Sequence, residues 1–261
     1  MMIKKINNNT LKTLLIVFLL CLVCSIIVTT VSVNLKSKQE EQIKLDVQKN
    51  ILNVSGLLKY KMTQKEIKEI YNKYIEKKFL NFKTNKLYTI NNFNLKKELN
   101  SDKTSIKLSS NEDIAKIHRR ANFSEIYLVK NNTGDISQII LPIYGSGLWS
   151  IMYAFISINS DGITSNGITF YEHGETPGLG GEVDNQKWKK QWKGKKLFNN
   201  NGKIAIKIIP HNTSNNIYNI DSLSGATLTS NGIQHILDFW LGDKGFGPFL
   251  KKVQKGEFKN V

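Results

Sequence analysis

The chain predicts an α+β protein: a mainly antiparallel sheet flanked by helices, preceded by one N-terminal transmembrane helix. Three observations predict it. Leu14 to Val33 is a run of twenty residues without a charge. Between Glu125 and Tyr171, short apolar runs alternate with clusters of turn residues. On either side of those runs, apolar residues recur at helical spacing.

The uncharged run has the length a helix needs to cross the hydrocarbon of a bilayer, and the predicted span is 13–34. It exceeds the apolar region of a signal peptide and ends without a convincing small-residue cleavage site, so an uncleaved anchor is expected. Lys4, Lys5 and Lys12 precede it, whereas Lys36 and Lys38 are soon offset by Glu40 and Glu41. The positive-inside rule then leaves the short tail in the cytoplasm and sends the rest outward. Beyond the span, Ile43, Val47, Ile51, Val54 and Leu58 are spaced four, four, three and four, which is a helix. A second helical stretch is expected from about Thr63 to Phe79, with Ile67, Ile70, Tyr71, Tyr74 and Ile75 on one side. Tyr88 to Ser110 is irregular, rich in Asn and Lys, and reads as loops and short edge strands.

Glu125–Lys130 and Ile136–Ile143 read as strands joined by the turn Asn131-Asn132-Thr133-Gly134-Asp135. Leu148–Ile158 and Ile163–Tyr171 form a second such pair about Asn159-Ser160-Asp161-Gly162. Ile204–Ile209 supplies a later strand. After Thr229, Ile233, Ile236, Leu237 and Trp240 mark a helix that Gly242 would end.

Composition removes several classes. The net charge of +16 is dispersed, often beside Asn and Ile, not gathered into a stripe with stacking aromatics. It describes a solvated surface attracted to anionic lipid head groups, and no nucleic-acid partner is expected. Cys21 and Cys24 have a C-x-x-C spacing but lie inside the apolar span without His, Asp or Glu, so they read as small apolar residues and not as a metal or redox site. His118, His173, His211 and His235 show no metal spacing, and no G-x-S-x-G elbow or Walker sequence occurs. Neither a metal nor a catalytic residue is predicted.

Two glycine-rich stretches remain. Gly145-Ser146-Gly147-Leu148-Trp149 is an incomplete dinucleotide fingerprint followed by a strand, so its glycines suit a tight turn or close approach to a ligand, with Trp149 offering a flat ring. His173 to Glu182, H-G-E-T-P-G-L-G-G-E, follows a strand and can turn backbone N–H groups toward a planar hydrogen-bonding ring, with Thr176 and Leu179 available for edge and face contacts. Further on, Ser224-Gly225-Ala226 delivers Thr227 just ahead of a helix whose free N–H groups favour an anion, although capping chemistry alone selects similar residues.

Asp221 to Thr227, D-S-L-S-G-A-T, resembles the flavinylation motif D-x-x-S/T-G-A-T at every defined position. Taken in order, Y-G-S-G-L-W-S, H-G-E-T-P-G-L-G-G-E, D-S-L-S-G-A-T-L-T-S and F-W-L-G-D-K-G-F-G-P-F-L, behind one span, resemble the C subunit of the sodium-translocating NADH:quinone reductases, a covalent FMN-binding domain family. The resemblance is clear from about Leu141 onward. Residues from about Tyr88 to Asn122 depart from it.

That resemblance implies FMN joined to Thr227 by a phosphoester, with Asp221, Ser224, Gly225 and Ala226 framing the attachment and Trp149, Glu175, Thr176 and Leu179 contacting the cofactor. Asp221 would help present the threonine to a flavin transferase, or simply form the turn. The implied organisation is a cytoplasmic tail (1–12), the transmembrane helix (13–34), a juxtamembrane helical region (35–100) and an extracytoplasmic FMN-binding domain (101–261), in a bacterial inner membrane with that domain periplasmic. The implied activity is electron relay inside a complex that oxidises NADH, reduces ubiquinone and exports sodium. Its partners are the other subunits, the transferase during maturation and membrane lipid. Two alternatives stand beside it: the homologous G subunit of the Rnf electron-transport complex, against which Y-G-S-G-L-W-S and the long glycine loop argue, and a membrane-anchored assembly module without cofactor.

Overall fold

The computed structural model describes residues 8–210 and 216–257; Lys4, Lys5, His211 and most of the predicted tail lie outside them. Two compact units divide the chain, Met1–Asp46 and Val47–Val261.

The first unit is formed by the greater part of helix α1, which runs Asn8–Val54. Its apolar side chains from Leu14 to Val33 face outward, Phe18 and Val33 among the most exposed. Such a surface is stable only against hydrocarbon or another apolar partner. Among the described residues this is the one helix long and apolar enough to cross a membrane. Cys21 and Cys24 are free thiols on its surface.

The second unit begins with the last turns of α1. Helix α2, Gln64–Tyr74, starts at a reciprocal capping box between Thr63 and Glu66. Then follow β1 (Ile75–Asn81), β2 (Lys86–Tyr88), α3 (Leu95–Leu99), β3 (Ser105–Lys107), β4 (Arg119–Ala121), β5 (Phe123–Lys130), β6 (Ile136–Ser146), β7 (Ile151–Asn159) and β8 (Ser165–Glu172). After a 3₁₀ turn, Gly180–Asp184, come α4 (Gln186–Lys190), β9 (Lys207–Ile209), β10 (Asn219–Asp221), α5 (Thr227–Trp240) and α6 (Gly247–Gln254). Six strands make one antiparallel sheet in the order β2-β1-β5-β6-β7-β8. Beside it, β9 and β10 pair in parallel and β3 and β4 antiparallel. The α+β class and the two central hairpins agree with expectation.

Two expectations need correction. The helix predicted from Thr63 to Phe79 stops at Tyr74, and Ile75–Asn81 pairs with Val129–Phe123 as a strand. Periodicity was ambiguous there because Ile75, Phe79 and Leu80 are apolar at spacings that either structure can bury. The long-range ladder decided it, and Lys77 pairs with Glu125 across the strands. The region 35–100 is therefore not wholly helical, since β1 and β2 belong to the main sheet and the compact unit begins at Val47.

The main core lies between the sheet and α5. Ile233, Ile236, Leu237 and Trp240 bury completely or nearly so against Ile139, Leu141, Ile143, Met152, Ala154, Ile156 and Ile158. These sheet residues alternate along β6 and β7, the period a one-sided core demands. On the other face, Thr169 lies between the core residues Ile168 and Phe170 and accepts from Asn53 Nδ2 at 3.2 Å. Ile51 and Leu52 of α1 are fully buried beside that contact. The end of α1 is also held by side-chain amides: Asn166 Nδ2 donates to the Val54 carbonyl and Gln138 Nε2 to the Ser55 carbonyl, at 3.3 and 3.2 Å. These bonds satisfy carbonyls that a helix terminus leaves open.

Candidate functional site

Three segments far apart in sequence meet at the start of α5. The first is the turn between β6 and β7, Gly147 to Ser150, the second is the loop after β8, and the third is the D-S-L-S-G-A-T stretch leading into the helix. The third is set from both ends. At Asp221 the backbone carbonyl accepts from Trp188 Nε1 at 2.8 Å, and the backbone N–H donates to Gln191 Oε1 at 3.0 Å. Nearer the helix, the Leu223 N–H donates to Ser230 Oγ at 3.0 Å. Gly225 then adopts φ +70°, a left-handed conformation that glycine takes without strain.

That turn ends on Ala226, which occupies the N-cap of α5 and supplies no side-chain hydrogen bond. The ordinary capping explanation is thus missing from the place where Ser, Thr or Asp would normally stand. First-turn N–H groups and the positive end of the helix dipole favour an anion there. Thr227, the first helical residue, is exposed, as are Ser224 and Gly225, whereas Ala226 is buried.

Several apolar side chains are exposed on the three converging segments. Leu179 packs over Gly225: a Cβ added to the glycine would lie 3.1 Å from Leu179 Cδ2. Trp149 is 69% exposed and Leu228 62%, with Leu148 and Leu179 nearly half exposed. Such exposure of an indole on a folded domain marks a surface suited to a flat ligand or a partner. Thr176 is exposed on the same loop, its carbonyl accepting the N–H groups of Leu179 and Gly181 at 3.1 and 2.9 Å.

Glu175 stands apart from the other expected contacts. It is only 5% exposed, and its carboxylate is engaged by the protein itself. Oε1 accepts the backbone N–H groups of Leu148 and Trp149, both at 3.0 Å, and Oε2 accepts the Thr229 hydroxyl at 2.5 Å. These bonds give Glu175 an internal role between the three segments. His173 is structural as well: Nδ1 accepts the Glu175 N–H at 3.3 Å and Nε2 faces Asp184 at 3.0 Å. Among the described residues, no group of three or more His, Cys, Asp or Glu could hold a metal ion.

Thr229 and Leu228 were not singled out in the sequence, though they sit within the recognised stretch. A weak signal for Thr229 is its place on the helical face shared with Ala226, Ile233 and Ile236, where a buried hydroxyl needs a partner. For Leu148 and Leu228, nothing in the periodicity distinguishes an exposed apolar residue from a core one.

An exposed hydroxyl at an uncapped helix start, flanked by apolar side chains and glycine backbone, fits a phosphate-bearing planar ring. The class that fold and site define is an FMN-binding domain carried behind an apolar helix, and residues 147–242 match the family model described as FMN-binding domain. The chain is 50% identical over 258 residues to the C subunit of the Na(+)-translocating NADH-quinone reductase of Yersinia pestis, covering 97% of each chain. It is 48% identical over 258 residues to that of Vibrio parahaemolyticus, covering 96% of this chain and 97% of the other. The chain belongs to the family of Na(+)-translocating NADH-quinone reductase C subunits. Among solved structures, Shewanella oneidensis NqrC superposes with a TM-score of 0.74 at 32% identity, over 80% of this chain and 97% of that one. The corresponding C subunit from Parabacteroides distasonis shares the fold, with a TM-score of 0.64 at 24% identity, over 83% of this chain and 96% of that one.

Proposed function

We propose that this chain is the electron-carrying subunit of a sodium-pumping NADH:ubiquinone reductase, with FMN held by a phosphoester to Thr227. The observation that carries the attachment is the exposed Thr227 hydroxyl at a helix start with no side-chain cap. Bound FMN would supply reversible one-electron chemistry, which no side chain here offers.

The residues have separate tasks in this reading. During maturation the Thr227 oxygen takes the phosphorus of the FMN half of FAD under a flavin transferase; the pyrophosphate bond breaks, AMP leaves, and the threonine proton passes to a base of that enzyme. The α5 N-terminus then holds the phosphate, while Leu179, Thr176 and Trp149 border the ring. Thr227 itself is an anchor and takes no part in proton transfer. Attachment through the phosphate leaves the ring's electronics to nearby dipoles, hydrogen bonds and burial. A covalent link would also prevent dilution outside the cytoplasm, the side of the membrane that the lysines before the span favour for this domain under the positive-inside rule. In a bacterial inner membrane that compartment is the periplasm. NADH binding, quinone reduction and sodium passage belong to neighbouring subunits, because the chain has no complete dinucleotide fingerprint and no acidic residue between Leu14 and Val33.

The test is intact-protein mass after co-expression with a flavin transferase. Wild type should carry one added FMN phosphoryl group and Thr227→Ala none, with thermal unfolding little changed because the side chain is exposed. An unmodified wild type, or flavin retained on the Ala variant, would remove the attachment.

A further inference from the structure

We infer that Glu175 is a positioning residue that presents Trp149 to the flavin, acting through backbone geometry and not through contact or charge. This rests on the reading that FMN is attached at Thr227. Burying a carboxylate is costly unless donors replace water, and here three do. They come from two of the converging segments, the backbone N–H groups of Leu148 and Trp149 and the hydroxyl of Thr229. Glu175 itself belongs to the remaining segment, the loop after β8. One side chain therefore ties the Trp149 turn to the first turn of α5, two residues from Thr227.

Space has been left for this arrangement on both sides. A Cβ on Gly147 would lie 2.5 Å from Glu175 Oε1, and one on Gly180 would lie 2.7 Å from Oε2 and 2.6 Å from Thr229 Oγ1. The glycines that the sequence offers for close approach to a ligand thus admit a carboxylate. Meanwhile the indole of Trp149 projects into solvent, 69% exposed, with its backbone pinned. Rigid backbone under an exposed aromatic ring is what a preformed ligand platform needs.

Indole in contact with an isoalloxazine quenches its fluorescence by electron transfer to the excited ring, so emission reports where Trp149 is. The full-length chain, flavinylated in cells and purified in detergent, would be compared with Trp149→Ala, Glu175→Ala, Glu175→Gln and Thr229→Val. All should carry the flavin mass. Emission per flavin should rise several-fold in Trp149→Ala and in Glu175→Ala, with no further rise in the double variant. Glu175→Gln should remain quenched, because its amide oxygen accepts the same two N–H groups and its amide nitrogen can donate to Thr229. Thr229→Val should show a smaller rise, and it decides the matter if Glu175→Ala does not fold. Quenching at the wild-type level in Glu175→Ala, or in Thr229→Val should that be the deciding variant, overturns the proposal. So does an unchanged Trp149→Ala, or a Gln variant as bright as Ala. Absence of flavin mass from wild type would instead refute the attachment itself.

Discussion

Gly232 lies in the middle of α5, where helix propensity and tertiary packing predict opposite signs for replacement by alanine. In a free helix, Gly→Ala stabilises by about 1 kcal/mol. Here the added Cβ would lie 2.6 Å from the Ser146 carbonyl oxygen and 3.3 Å from the Gly147 Cα. Those atoms are backbone and cannot rotate away. Retreat of the loop is also opposed, because the Ser146 N–H donates to Ala115 O and the Gly147 N–H to Ser150 O, both at 2.8 Å. Overpacking a fixed interior costs about 1–3 kcal/mol, and any shift of residues 146–149 further weakens the N–H contacts to Glu175. Set against the propensity gain, the clash leaves a net loss of up to about 2 kcal/mol. For a unit of this size that lowers the melting temperature by up to roughly 8 °C. Thermal unfolding followed by circular dichroism on the full chain measures it. A melting temperature equal to or above that of wild type would show that the loop yields freely, and the claim that α5 and the Trp149 turn form one rigid seat would be lost.

Two further outcomes follow from the same contacts. Asn53→Ala should destabilise the second unit by about 1–2 kcal/mol, since it removes the bond to the almost wholly buried Thr169 hydroxyl; an unchanged denaturant midpoint would contradict this. At high pH, burial raises the Tyr144 phenol above its ordinary value, and burial with the neighbouring Glu125 carboxylate does the same at Tyr127. The folded state keeps protons that the unfolded state releases, so this stability is complete below about pH 10 and falls above it by about 1.4 kcal/mol per pH unit for each phenol. Phenolate absorbance should therefore rise in two stages, the later with unfolding, and complete ionisation of all nine tyrosines while dichroism stays native would refute it.

Much was legible because local chemistry and function coincide. The apolar run from Leu14 to Val33 needs only its length and lack of charge to declare a span. The turns at Asn131–Asp135 and Asn159–Gly162 carry residues whose side chains or backbones close hairpins, as the backbone N–H groups that donate to Asn131 Oδ1 and Asp161 Oδ1 show. The D-S-L-S-G-A-T stretch is contiguous, so its place before a helix could be read directly. β1 was another matter: Ile75, Phe79 and Leu80 satisfy two periodicities, and the partner that selects one lies some fifty residues on in β5.

By itself the sequence determined the apolar N-terminal helix, the α+β class, the order of the central hairpins and the place of Thr227, the proposed attachment residue, at the start of a helix. Only the tertiary structure decided that Glu175 turns inward, that Trp149 is left in solvent, and that Gly147, Gly180 and Gly232 are required by closeness and not by turning. The reason is physical. Turn, span and cap signals depend on a residue's own backbone and immediate neighbours, whereas the environment of a carboxylate depends on which donors the folded chain brings within 3 Å of it.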